Sequence, residues 1–175
     1  MTTPILDSVP EIYHDFLLTF FRKAIAQLEK DGSAQNQILI GNTSTRRLVA
    51  VKPDVSSNEA KDLTSWRVKG LVMMEDADFV ITIFDSWVLD ETQAANADKI
   101  MQTYGSIGAS PYKISALTVG LETAQGVWMG ICHEKPSKQS TIKASFENFQ
   151  MIKMDSANGR FAGFLRKLPN NKNLH

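Results

Sequence analysis

A chain of 175 residues with 43% hydrophobic and 22% charged side chains has the composition of a globular protein and the length of one domain. No apolar run approaches a membrane span, the opening MTTPILDSVPEIYHDF lacks the blocks of a signal peptide, and the single Cys132 excludes an intrachain disulfide framework and a cysteine zinc cluster. Charge sums to zero but is uneven: residues 1–134 hold 11 Lys/Arg against 17 Asp/Glu, residues 135–175 hold 8 against 2, and the expectation is a cytoplasmic protein whose basic end balances an acidic middle.

The first predicted element is a helix. Ser8 and Glu11 have capping-box spacing, Pro10 falls in the first turn, and Gly32 ends the pattern. Ile12, Phe16, Phe20, Ala24 and Leu28 form one apolar row, and Tyr13, Leu17, Phe21 and Ile25 another. QILIG (37–41) and RRLVAVK (46–52), joined by NTST, predict a hairpin that Pro53 stops. A second helix is expected from Ser57 to Glu75, with Leu63, Trp66, Gly70, Met73 and Met74 as its packing face. Gly70 there implies close approach of the helix to a sheet.

FVITIFDSWVLDE (79–91) is the most β-prone run. Residues 90–112 make a long connection with a short helix in TQAANADKIMQTY and a glycine-rich loop at GSIGASP. KISALTVGLET (113–123) and VWMGICHE (127–134) form a hairpin through Ala124-Gln125-Gly126. TIKASFENFQMIKM alternates as strand with a break near Glu147-Asn148, Asn158-Gly159 signals a tight turn, and residues 170–175 form a frayed tail. The order predicts one α+β domain over residues 1–169. Two helices pack on one face of a largely antiparallel sheet of about five to seven strands.

Chemical signatures are few. Cys132-His133-Glu134 lies on a strand, where successive side chains point to opposite faces, so thiol and imidazole cannot meet as a dyad. GSIGAS is followed by Pro111 and a strand, which gives a bound phosphate no helix N-terminus. There is no histidine pair at ligand spacing and no EF-hand pattern for Asp90, Glu91 and Asp98, so neither a metal nor a cofactor is expected. Asp85 stands out. Alternation puts it on one face with Phe79, Ile81, Ile83, Trp87 and Leu89, where an unpaired carboxylate is costly. That face opens to solvent, or Arg46, Arg47 or Arg160 pairs with Asp85, or Asp85 joins Glu122 in a site.

Three function classes follow. The first is a non-enzymatic binding or assembly protein, a homodimer or the partner of another protein, with Trp87 and Lys113 among its binding residues. The second is a small acid–base enzyme using Asp85 and Glu122 as catalytic residues. The third is a nucleic-acid binder using Arg160, Arg166, Lys167 and Lys172, which the zero net charge disfavours. No membrane partner is expected. Asp85-Ser86-Trp87-Val88, Pro111 with Lys113, Glu122 and Gly159-Arg160-Phe161 resemble a loosely defined set of small bacterial and phage-type α+β proteins of unknown function. Lys113 stands where such proteins carry arginine, and Ser115 where they carry an acid. The resemblance implies a compact α+β domain and no reaction.

Overall fold

The computed structural model describes residues 4–135, 145–155 and 161–165. The chain is α+β with a largely antiparallel sheet, as the pattern of elements predicts. The helices are α1 (His14–Asp31), α2 (Asn58–Met74) and α3 (Ala97–Tyr104). The strands are β1 (Pro4–Ile5), β2 (Gln37–Asn42), β3 (Arg47–Val51), β4 (Phe79–Leu89), β5 (Lys113–Thr123), β6 (Gly126–Lys135), β7 (Ser145–Phe146), β8 (Phe149–Gln150) and β9 (Ile152–Met154). The main sheet runs β3-β2-β4-β5-β6-β7, with β9 also beside β6; β1 and β8 form a small parallel pair. The break expected near Glu147-Asn148 separates β7 from β8. The expected turn at Asn158-Gly159 and the tail 170–175 lie outside the described residues.

Two compact units share the chain. The first takes residues up to Asn36, Ile83–Val119 and Gly130–Met151; the second takes Gln37–Thr82, Gly120–Met129 and the residues from Ile152.

In the first unit, α1 follows a short 3-10 turn, Glu11–Tyr13, and the Ser8 hydroxyl donates to the Met151 carbonyl at 2.7 Å. Of the two rows on α1, Tyr13, Leu17, Phe21 and Ile25 are buried, whereas Ile12 is 59% exposed and Phe16 and Phe20 are half-buried. The Phe21 ring meets Phe149 at 5.0 Å between centroids. Gly32 closes α1 at φ 76, its N–H bonding the Leu28 carbonyl, the left-handed cap that glycine adopts without a Cβ clash.

In the second unit, β2 and β3 pair antiparallel, Ile38 opposite Val51 and Gly41 opposite Leu48. The NTST turn is built from side chains. Asn42 Oδ1 accepts the Thr45 N–H at 2.9 Å, and the Asp78 carboxylate accepts the Thr43 N–H at 3.0 Å and the Thr43 hydroxyl. Asp78, in the acidic middle of the chain, thus serves to fix a loop. Gly41 has no side chain because the fully buried Phe79 ring fills that space. α2 lies against β2.

Candidate interaction surface

α2 starts where the sequence places it. Pro53 ends the hairpin, and Ser57, with extended backbone, accepts the Ala60 N–H at 3.0 Å as N-cap. The helix buries Thr64, Ser65, Val68 and Val72, not the face expected. Thr64 is satisfied by the Asp54 N–H at 3.1 Å, which lets a small polar side chain sit inside. Leu63, Trp66, Met73 and Met74 are 71, 74, 66 and 79% exposed, and Gly70 has open space where its Cβ would lie. The prediction that this stripe packs on a sheet is corrected: at 3.6 residues per turn it lies about half a turn from the buried side. Four such side chains offer on the order of 500 Å² of apolar surface, as large as the largest patch on a typical monomer, which is often a functional one.

Beside the stripe lies an open groove of about 910 Å³, bordered by Trp66, Lys69, Met73, Ser44, Asp78 and Phe164. The Lys69 amine stands 5.9 Å from the centre of the Trp66 ring and so marks the rim of the apolar face. Arg47 reaches Glu75 at 3.2 Å, an ion contact without hydrogen-bond alignment, on a side chain 69% exposed. Such a pair contributes little to stability.

Glu122 lies in the same unit, at a second cavity of about 400 Å³ walled by Leu121, Trp128, Met154, Phe161 and Phe164. The carboxylate is buried, and each oxygen has its own donor: Phe164 N–H to Oε2 at 3.1 Å and Leu165 N–H to Oε1 at 2.7 Å. Glu122 therefore clamps the backbone of the 161–165 segment.

Asp85 belongs to the first unit and has its own backbone partners. Its Oδ2 accepts the Ala34 N–H at 3.1 Å, while its own N–H donates to Asn36 Oδ1 at 2.8 Å. This reciprocal pair staples the loop after α1. The strand face also opens here: Phe79, Ile81 and Ile83 are buried, Asp85 is half-buried and Trp87 is 51% exposed. Of the arginines expected as partners, Arg47 meets Glu75, and Arg160 lies outside the described residues. Arg166, Lys167 and Lys172 lie outside them too.

Trp87 and Lys113 do come together. The Lys113 amine sits 4.5 Å from the Trp87 ring centre and donates to the Gly108 carbonyl at 2.9 Å. A Cβ on Gly108 would stand 3.0 Å from the indole. The glycine-rich loop thus folds onto Trp87, and Gly105, at φ 75, ends α3. Asp90 caps the next turn; the Thr92 hydroxyl and N–H hold its carboxyl below the usual range. Among the described residues no three His, Cys, Asp or Glu side chains are grouped to hold a metal ion, and no helix is long and apolar enough to cross a membrane.

Cys132 is buried, and its thiol donates to the Glu147 carbonyl at 3.0 Å. Burial, reinforced by the Glu147 charge, pushes it up to about 12 from 9.0. The thiol stays protonated at neutral pH and is a poor nucleophile. Native protein at pH 8 is expected to resist alkylation that unfolded protein undergoes within minutes. Because the folded value is raised, the contribution of this group to stability is complete below pH 9 and is lost as pH rises towards 12. Denaturant melts at pH 8 and pH 10.5 read that loss.

Comparison with protein-family models, with curated proteins and with solved structures finds no match to this chain.

Proposed function

We propose that this chain is a cytoplasmic, non-enzymatic binding or assembly protein and that the outer face of α2 is where it binds protein. One observation carries the reading. A capped, well-seated helix buries small side chains and turns Leu63, Trp66, Met73 and Met74 outward in one stripe. Scattered apolar residues on a surface need no explanation, but an aligned stripe does. The carboxylates proposed for acid–base work are engaged by backbone N–H groups, Asp85 by Ala34 and Glu122 by Phe164 and Leu165, and this favours a binding role over catalysis.

Oxidation by peroxide tests the reading. Met73 and Met74 are expected to oxidise several-fold more slowly in extract of the cells that make the protein than in dilute purified protein. Met101 on α3, 44% exposed, serves as internal control and should not change. Equal rates at Met73 and Met74 in both settings would sink the proposal.

A further inference from the structure

We propose that the cavity at Glu122 is a binding site for a small organic amine, a primary ammonium carried on an apolar body. Among the described residues none of α2 lines this cavity, so it is separate from the outer face of that helix. Its described walls all belong to the second unit, and its volume of about 400 Å³ is that of a small-molecule site. The walls follow from strand alternation. β6 pairs with β9, Val127 opposite Met154 and Trp128 opposite Lys153. Successive side chains leave a strand on opposite faces, so Val127, Met129 and Met154 turn to the cavity, while Lys153 turns away and lies over the Trp128 ring at 5.3 Å. From the other strands the cavity takes alternate residues, Val80 and Thr82 of β4 and Gly120 and Glu122 of β5. Gly120 keeps the floor open, because a Cβ there would collide with the Thr82 hydroxyl. Phe161 and Phe164, on the segment that Glu122 clamps, add aromatic walls.

The polar groups select the ligand. Glu122 is only 9% exposed, and a carboxylate accepts hydrogen bonds but cannot donate them. Each of its oxygens has taken one backbone N–H, and a carboxylate has about four acceptor sites, so each oxygen has room for one donor more. The half-buried Thr82 hydroxyl has no hydrogen-bond partner among the described residues. Thr82 lies against Gly120, two positions along the strand from Glu122 and on the same face, a span of roughly 7 Å. One ammonium between them can donate to both. Exposed Asp155 adds a second carboxylate, and among the described walls there is no Lys or Arg. Acceptors and negative charge favour a donating, cationic head and repel an anion. The apolar body of the ligand is taken out of water against Val127, Met154, Phe161 and Phe164.

Isothermal titration of the full chain at neutral pH with phenethylamine tests the proposal, with phenethyl alcohol and hydrocinnamate as neutral and anionic probes of similar body. The amine should bind with a Kd of about 0.1–1 mM, ordinary for so small a ligand. The alcohol should bind at least tenfold more weakly and the acid not measurably. Val127→Phe, which fills the cavity from a half-buried wall, should abolish binding of the amine with circular dichroism unchanged. Thr82→Val keeps the shape of the side chain, removes the hydroxyl and should weaken the amine several-fold. Glu122→Gln should narrow the gap between amine and alcohol. No binding of the amine to the wild type overturns the proposal, and so does binding that survives both Val127→Phe and Thr82→Val unchanged. Preference for the acid over the amine overturns the ligand class.

Discussion

Glu122→Ala is expected to lower stability by about 2–4 kcal/mol. The substitution strands two backbone donors, the Phe164 and Leu165 N–H groups, and an unmatched buried N–H costs roughly 1–3 kcal/mol. Glu122→Gln keeps an acceptor but loses the charge and should cost about half as much. Urea melts give the magnitudes. Amide hydrogen exchange gives the location: protection at Phe164 and Leu165 should fall first, ahead of the β2–β3 pair. A loss under about 0.5 kcal/mol for the alanine variant would show that the clamp carries no weight.

Gly41→Ala should be the most damaging single methyl in the second unit, at about 3 kcal/mol or more. The new Cβ would fall inside the Phe79 ring, which is fully buried and cannot swing away. The opposite sign is expected at Gly70, which has open space and sits within α2. Gly70→Ala should raise the stability of the dilute protein by up to ~1 kcal/mol through helix propensity. Thermal or denaturant melts of the two variants side by side test both. Similar effects at the two glycines would refute the packing account.

Most elements were legible because their signals are local. Gly32 stops α1, Pro53 stops the β2–β3 hairpin, Ser57 caps α2, and the β5–β6 turn falls at Ala124-Gln125. The orientation of α2 was not legible. Periodicity identifies an apolar stripe but not which side meets the core. Here Thr64 and Ser65 are buried with Val68 and Val72, so the inner face is the less greasy one. The signal that would have found the outward stripe is its margin, where Asp62 and Lys69 sit directly against it and a core stripe has no reason to carry them. The partners of Asp85 were hidden for another reason. A backbone N–H such as that of Ala34 looks alike in every residue, so a search through arginines passes over it. Trp87 and Lys113 are both expected among the binding residues; Gly108 joins them, and its role follows from an indole that no local pattern places there.

The pairing of β1 with β8 bears on how the chain is made. Pro4 lies beside Phe149, and Ser8 bonds Met151, 143 positions later. A ribosome releases the amino end of the first unit long before its closing partner. Through most of translation α1 is helical sequence with its Phe21 side waiting for Phe149. Each unit is stitched from three stretches of chain that alternate in sequence with those of the other, so neither is made as one continuous run. Deletion from either end should therefore leave aggregation-prone fragments, and the first unit cannot close until about the 150th residue has emerged.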